Sequence, residues 1–184
     1  MLGFYTDGVY ARDRKSAARL HEEFTILKQA GAQNFIMCEL GHIRLESIVL
    51  CNLGIVFERL DRKEEARASF QAALHIAQAL GDPRYEGQFL GYLGLLHARQ
   101  GEHDHARKCL DSGEAMLRSA SDKFGLGVLL SSRAEAHQLA GDTSSATASL
   151  AAAMTIAGHI GAGPSSELGL AIARVRKLIE PIQD

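Results

Sequence analysis

The sequence predicts an all-α fold in which antiparallel helix pairs stack side by side into an open solenoid. Three features predict it: a repeat of 40 residues, apolar residues at helical spacing within each repeat, and glycines where helices are expected to end. A fixed period in this range is typical of solenoids, in which each unit buries its apolar face only against its neighbours. One shift superimposes Leu50, Leu53, Gly54, Arg59, Ala66 and Arg67 on Leu90, Leu93, Gly94, Arg99, Ala106 and Arg107, and the next adds Leu130, Ala134, Gly141, Ala146 and Leu150.

The composition is that of a globular chain and argues against several classes of function. Of 184 residues, 46% are hydrophobic and 23% are charged, and the formal net charge of -2 gives no general attraction to nucleic acid. We expect the basic clusters at 12–19 and 174–177 to be solvated helix faces. No apolar run is long enough to span a membrane, and the N-terminus has no signal-peptide pattern. Three cysteines without a CxxC pair predict a reducing compartment, so we expect a soluble, cytoplasmic protein.

The first full unit, residues 46–82, is predicted to contain two helices. The first, over 46–60, has an apolar stripe at 4-3-4 spacing, and enough further apolar residues that we expect contacts on more than one side; the stripe is Val49, Leu53, Val56 and Leu60. Asp61 ends this helix where later units have glycine. Because aspartate suits a left-handed residue less well than glycine, we expect this first turn to differ slightly.

The second helix of this unit is predicted over 63–80. Its buried stripe is expected to be Ala66, Phe70, Ala73, Leu74 and Ala77. The small alanine, repeated at 106 and 146, would let the two helices of a pair approach closely. Gly81 and Pro83 are stop signals that end the helix.

Two further units and a terminal helix complete the array. The units span 83–122 and 123–162, with helices predicted over 85–100, 104–119, 126–140 and 143–159. Residues 163–184 are predicted to supply a capping helix over 167–179, because only one of its sides is apolar, with Leu168, Ile172, Val175 and Ile179.

Residues 1–45 are predicted to form a degenerate N-terminal repeat or flanking helices. The pattern favours a helix from about Arg12 to Ala30, ending at Gly31, and a new helix starting near Asn34. The 40-residue repeat, carried back from Gly81, would instead end a helix at Gly41. The two predicted helix ends, Gly31 and Gly41, therefore differ by 10 residues. The helix through 35–60 is therefore either continuous or broken at Gly41.

The repeated pattern resembles the tetratricopeptide repeat. The residues that carry the resemblance over about 46–162 are Leu53, Gly54, Phe57, Ala66, Phe70 and Ala73, then Leu93, Gly94, His97, Ala106, Leu110 and Gly113, and more weakly Ala134, His137, Ala146, Leu150 and Ala153. The usual unit has about 34 residues, whereas this one resembles the longer variants of bacterial signalling proteins and motor light chains. The resemblance implies a right-handed superhelical array in a bacterial signalling context.

In this family, peptides or partner helices bind in the concave groove lined by the first helices. The resemblance therefore implies a partner-binding groove, and its lining residues would be Ile48, Cys51, Asn52, Ile55, Arg59, Gln88, Tyr92, Leu95, Arg99, Ser132, Glu135 and Gln138. These positions contain no lysine, so the subtype that clamps a C-terminal carboxylate is not expected. Arg59 and Arg99 stand one repeat apart. They would either pair with ligand carboxylates or remain exposed without a partner.

Other clusters are not expected to carry chemistry. One cluster contains side chains that can bind zinc, namely His97, His103, His105 and Glu102. However, His97 is expected to be a packing residue, and the other three lie at the tip of a turn. Nothing in the spacing activates a cysteine, and the glycine clusters lie in helices rather than after a strand. We therefore predict no enzyme, no metal and no cofactor.

Three hypotheses for function follow from the sequence. The first is a protein-interaction scaffold that holds a protein or peptide in the groove, with no nucleic-acid or membrane partner. The second is a regulatory sensor whose superhelix changes pitch when a ligand or peptide binds. The third is self-association into a homo-oligomer through the N-terminal region, where Phe35, Ile36 and Met37 are expected to be uncovered.

Overall fold

The computed structural model describes the backbone of residues 33–180 and the side chains of residues 41–180. This part of the chain is all-α, which confirms the predicted fold class. Its helices are α1 (Gln33–Arg59), α2 (Lys63–Leu80), α3 (Pro83–Arg99), α4 (His103–Ser119), α5 (Lys123–Leu139), α6 (Thr143–Ile160) and α7 (Glu167–Ile179). The predicted bounds of α2 and α7 are confirmed at both ends, and the other predicted ends from residue 60 onward lie within three residues of those observed.

The helix α1 is continuous through Gly41, which settles the choice left open by the sequence. It starts at Gln33, next to the predicted start near Asn34. A Cβ atom added to Gly41 would have no neighbour within 4 Å, so no other described residue crowds the helix at this position. The predicted helix over 12–30 and the basic cluster at 12–19 lie outside the described residues, as do the side chains of Phe35, Ile36 and Met37.

The turns between helices share one conformation at intervals of 20 residues. Each has a left-handed residue, and the six in the described chain are Asp61, Gly81, Gly101, Ser121, Gly141 and Gly161. Asp61 has φ 56°, and the next amide, of Arg62, donates to Phe57 O at 2.9 Å, just as Glu102 N donates to His97 O at 2.9 Å. The first turn therefore keeps the common geometry, contrary to the expectation that it would differ.

First and second helices play different roles in the stack. The first helices α1, α3, α5 and α7 contact one another in sequence, and each second helix packs between the first helices of its own and the next unit. Among the described residues, the second helices α2, α4 and α6 do not contact each other. The array therefore curves with the first helices on its inner side.

Small residues bring the helices of each pair into close contact, as the sequence predicts. Ala66, Ala106 and Ala146 are all buried. A Cβ added to Gly54 would lie 2.5 Å from the ring of Phe70, and one added to Gly87 would lie 2.8 Å from the backbone oxygen of Gly113. These approaches leave no room for a methyl group, so glycine is required for the packing of α1 on α2 and of α3 on α4.

The apolar stripe predicted on α1 does not lie in the described core. Val49, Leu53, Val56 and Leu60 are 56%, 43%, 49% and 60% exposed, whereas Ile43, Ser47 and Cys51 on the other side of the helix are buried. The helix packs against α2 and α3 through this second side. The sequence identified an amphipathic helix but could not tell which of its apolar sides faces the pair.

The C-terminal end of the array is covered by α7. Leu168 and Val175 are fully buried, and Ile172 and Ile179 are partly buried against α5 and α6. The basic side chains of Arg174, Arg176 and Lys177 lie on the exposed side. This arrangement matches the predicted one-sided apolar pattern. In the part of the chain that the structure describes, every helix is too short or too polar to cross a bilayer.

Candidate functional site

The inner surface is built from equivalent positions of successive first helices. One row contains Ile48, Gln88 and Val128; a second contains Asn52, Tyr92 and Ser132; a third contains Ile55, Leu95 and Glu135. Because axes of packed helices are about 8–10 Å apart, each row sets side chains at roughly that interval across α1, α3 and α5. The predicted groove residues therefore lie on three adjacent helices.

Exposure divides the predicted groove residues into three groups. Asn52, Arg59 and Arg99 are exposed; Ile48, Ile55, Gln88, Tyr92 and Gln138 are partly buried; Cys51, Leu95, Ser132 and Glu135 are buried. The accessible members lie mainly on α1 and α3. On α5, Ser132 and Glu135 are buried and Val128 is partly buried, since α7 packs against that helix. That these residues bind a partner stays a prediction.

Alternating charges run across all four first helices. Arg99 of α3 contacts Glu58 of α1 through Nη1 to Oε1 at 2.7 Å, and contacts Glu135 of α5 through Nε to Oε1 at 2.7 Å. The other carboxylate oxygen of Glu135 accepts from Arg174 Nε of α7 at 2.9 Å. We call these four residues the charge ladder. It ties α1, α3, α5 and α7 together across the inner surface.

The ladder occupies the guanidinium of Arg99. The sequence left two alternatives for this residue, a carboxylate on a ligand or exposure without a partner. The structure gives a third, two carboxylates of its own chain. Partial burial lowers the pKa of Arg99, but the charges of Glu135 and Glu58 outweigh this and leave that pKa above its ordinary value. Arg99 therefore holds neighbouring units together.

Tyr92 makes a second connection across the inner surface. Its ring stacks on Phe70 of α2 with centroids 5.8 Å apart, and its hydroxyl hydrogen-bonds to Glu167 at the start of α7. Burial, then the charge of Glu167, raises the pKa of the Tyr92 hydroxyl above its ordinary range. The cavity beneath, lined in part by Gly91, Val128 and Ser132, has a volume of about 20 Å³, enough for one water molecule.

Cys51 lies beside this connection and is not activated. It is 4% exposed. Burial, with a smaller contribution from the charge of Glu167, raises the pKa of the Cys51 thiol to about 12. A thiol acts as a nucleophile through its thiolate, which this environment disfavours. Cys51 is therefore a packing residue of the inner surface.

His97, Glu102 and His105 form a cluster of side chains that are able to bind a metal ion. One ligand atom from each lies within 4.8 Å of the others. However, the Glu102 carboxylate already accepts from Arg67 Nη2 at 2.8 Å and lies 2.5 Å from His97 Nδ1. These hydrogen bonds, first that of Arg67, lower the pKa of Glu102 to about 2. The guanidinium balances the charge that would attract a cation, so the cluster is better explained as a link between α2 and the turn before α4.

A wider depression lies between the start of α4 and the end of α5. Its volume is about 270 Å³, and its lining includes Arg107, Arg133 and His137. Arg133 forms ion pairs with Asp111 at 2.8 Å and Glu114 at 2.9 Å. Arg133 is therefore used in packing α5 on α4, and Arg107 pairs with Asp104 at 3.0 Å.

Sequence reasoning missed three residues of the inner surface, Glu58, Arg174 and Glu167. The ladder had a detectable signal, since Glu58, Arg99, Glu135 and Arg174 alternate in sign at spacings close to one repeat. Glu167 had none, because its contact with Tyr92 depends on how strongly the array curves.

A comparison with protein families supports the likeness suggested by the repeated motif. Residues 45–119 match the family model described as Tetratricopeptide repeat. The match extends from the middle of α1 to the end of α4. No curated protein matches the chain. With helix pairs stacked in the order that the repeat requires, residues 45–119 belong to the tetratricopeptide repeat family, whose repeats generally mediate protein–protein interaction.

Proposed function

We propose that this protein is a non-enzymatic interaction scaffold that binds a peptide or partner helix on the inner surface of α1 and α3. The observation that carries the proposal is the pair of accessible rows on these helices. Ile48 and Gln88 form one row and Asn52 and Tyr92 the other, and all four are at least partly exposed. Each helix thus offers an apolar group beside an amide.

The spacing of these rows suits a polypeptide. Neighbouring helix axes are about 8–10 Å apart, and an extended chain advances about 3.3 Å per residue, so every third residue would meet a new helix. The amide of Asn52 can donate to and accept from a partner backbone. Gln88 uses its amide nitrogen on Asp122 at 2.8 Å and keeps its oxygen as an acceptor.

Binding is expected at the N-terminal part of the inner surface. On α5, Ser132 and Glu135 are each 4% exposed, so a partner could reach them only if α7 moved. On α1, Asn52 and Arg59 are exposed. The cavity below Tyr92, at about 20 Å³, is far smaller than the roughly 300 Å³ of small-molecule pockets. An extended macromolecular partner therefore fits this surface better than a cofactor does.

The cellular setting is part of the proposal. The likeness to repeat arrays of bacterial signalling proteins supports a role in signalling or regulation in the cytoplasm. Cys51 and Cys109, which are free, are consistent with a reducing compartment.

Site-specific photo-crosslinking tests the binding surface. A benzophenone amino acid replaces Asn52 in one variant and Lys108 in a control; Lys108 is exposed on α4, a second helix. The proposal predicts that one protein is captured from lysate at Asn52 and not at Lys108. The purified partner should then lose about tenfold or more in affinity for Ile48→Asp, and little for Lys108→Asp. Equal capture at both positions, or unchanged affinity of Ile48→Asp, would contradict it.

A sensor role is the second candidate, and the Tyr92–Glu167 hydrogen bond favours it. This bond joins helices two units apart, so a ligand that displaced Glu167 would release α7 from α3. Glu167→Gln should then mimic the ligand and increase the radius of gyration in X-ray scattering. An unchanged scattering curve for this variant, with and without the captured partner, would rule out the sensor.

A further inference from the structure

One side of α1 carries a continuous row of exposed apolar side chains. They recur every three or four residues, so they lie along one line of the helix, and their exposed fractions are 59% for Leu45, 56% for Val49, 43% for Leu53, 49% for Val56 and 60% for Leu60. We call this row the α1 stripe. Single exposed apolar residues are ordinary, but a contiguous row marks a surface that another segment covers.

The equivalent row on α3 is core. Forty residues after Val49, Leu53 and Val56 stand Phe89, Leu93 and Leu96, which are 2%, 5% and 1% exposed. They belong to one cluster with the apolar face of α2, formed by Ala66, Phe70, Ala73 and Ala77. On α3 this row therefore receives the second helix of the preceding unit.

The same holds on α5. Leu129, equivalent to Val49, is 1% exposed. It packs closely on Gly113 of α4, since a Cβ atom added to Gly113 would lie 2.8 Å from a methyl carbon of Leu129. Arg133, equivalent to Leu53, pairs with Asp111 and Glu114 of α4. In two successive units, this position is where the preceding second helix packs. Only on α1 does the described chain supply no such helix.

We propose that residues 4–27 of the same chain, which include most of the helix predicted over 12–30, cover the α1 stripe and run antiparallel to α1. The length of the connection fits. Two residues connect α2 to α3, and a helix ending at Ala30 would likewise leave two residues, Gly31 and Ala32, before α1 begins at Gln33. The length fits as well. At about 1.5 Å per residue, the 27 residues of α1 span roughly 40 Å, and the 30 residues from 1 to 30 span about 45 Å.

The segment has the apolar residues that such a contact requires. Leu20, Phe24 and Leu27 follow 4-3 spacing, which places them on one helix face toward the start of α1. The part that runs beside the stripe contributes Phe4, Tyr5, Val9 and Tyr10. In an antiparallel arrangement, Leu27 lies near the start of α1 and residues 4–18 run beside Leu45 to Leu60.

The tether favours this occupant over a second copy of the chain. A segment joined through a short connection has an effective concentration in the millimolar range. A second copy at micromolar concentration would have to displace it. Self-association and capture of a foreign protein thus become distinguishable outcomes of a single experiment.

Photo-crosslinking from the stripe in the full chain tests the proposal. A benzophenone amino acid replaces Leu53, or Leu170 as a control; Leu170 is 60% exposed on α7, at the other end. Equal amounts of ¹⁴N- and ¹⁵N-labelled protein are mixed, so that peptides crosslinked within one chain differ in mass from those crosslinked between chains. The proposal predicts that Leu53 captures residues 4–27 of its own chain and that Leu170 does not. Mixed-isotope crosslinks, capture of another protein, or no capture above the control would overturn it.

A stability measurement gives an independent answer. Leu53→Glu places a charge under the proposed helix and should lower the melting temperature by about 3 °C or more, whereas Leu170→Glu should change it by less than about 1 °C. Val9→Ala should lower it too, and its effect should shrink in the Leu53→Glu background, because the antiparallel arrangement places Val9 beside Leu53 and both changes break one contact. An unchanged melting temperature for Leu53→Glu, or fully additive effects, would contradict the proposal.

Discussion

Leu96 of α3 and Val56 of α1 occupy the same repeat position in contrasting environments. Leu96 is 1% exposed and Val56 is 49% exposed in the described chain. Both helices have their own partner, α4 and α2, on another side. The difference arises from the preceding unit, because α2 packs on Leu96 and no described helix packs on Val56. Burial in this array is therefore decided by the neighbouring unit as much as by the helix itself.

The largest expected effect comes from truncation at this repeat position. Leu96→Ala removes a buried side chain from the cluster that joins α2 to α3, and should lower the free energy of unfolding by about 2–5 kcal/mol. Val56→Ala should cost about 1–2 kcal/mol if the α1 stripe is covered, and close to zero if it faces water. Urea unfolding of both variants measures the difference. A Leu96→Ala variant as stable as the parent would remove the basis of the comparison.

The contact within a pair can be broken without touching the contact between units. Gly87→Ala would place a methyl group 2.8 Å from the backbone oxygen of Gly113, which cannot move without shifting α4. We expect a loss of about 1–3 kcal/mol in urea unfolding. The control is Gly158→Ala in α6, where a Cβ meets nothing within 4 Å. That change should stabilise the helix by up to about 1 kcal/mol, and equal effects of both variants would contradict the packing described.

The charge ladder sharpens the comparison between first helices. Glu135→Gln leaves Arg99 with one carboxylate, Glu58, and Arg174 with none from the ladder. Because Glu135 is buried and accepts charge-assisted hydrogen bonds, we expect a loss of about 1–2 kcal/mol in thermal or urea unfolding. Asp104→Asn breaks the exposed pair with Arg107 and should cost less than about 0.5 kcal/mol. Equal losses would mean that the ladder adds no more than a surface pair.

The smallest expected effect is on acid sensitivity at the turn between α3 and α4. Hydrogen bonds from Arg67 and His97 lower the pKa of Glu102 from 4.5 to about 2 in the folded chain. A lowered folded-state pKa contributes stability at pH values above the unfolded pKa, and this contribution is lost as the pH falls from about 5 toward 2. Glu102→Gln should therefore flatten the decline of stability between pH 5 and pH 3, measured by urea unfolding. The equivalent residue after α1 is Arg62, so no matching effect is expected there. Parallel pH profiles for parent and variant would contradict this assignment.

The sequence predicted the parts of the fold that depend on local patterns. The ends of α2 and α7 follow from stop signals and caps, such as Gly81 after α2 and Ser166, whose hydroxyl accepts from Gly169 N at 3.1 Å, before α7. Asp61 adopts the left-handed conformation of its glycine equivalents because the turn geometry is imposed by the packed pair. Periodicity located the apolar sides of α1 but not their partners, which lie elsewhere in the chain.

The candidate site was predictable only in its outline. The repeat placed Ile48, Gln88 and Asn52 on first helices that share a surface. It could not show that Leu95 and Glu135 would be buried, because their coverage comes from packing between units and from α7. Nor could it separate a ligand-binding arginine from Arg99, whose partners lie 41 and 36 residues away in sequence.

The claim that neighbouring units decide burial is tested most directly by hydroxyl-radical footprinting of the unmodified full chain. Mass spectrometry would compare oxidation of Leu45 and Leu53 on α1 with that of Leu93 on α3 and Leu170 on α7, over a range of protein concentrations. The proposed covering of the α1 stripe by residues 4–27 predicts that Leu45 and Leu53 are protected like Leu93 at every concentration. Oxidation as rapid as at Leu170, or protection that appears only at high concentration, would contradict the account.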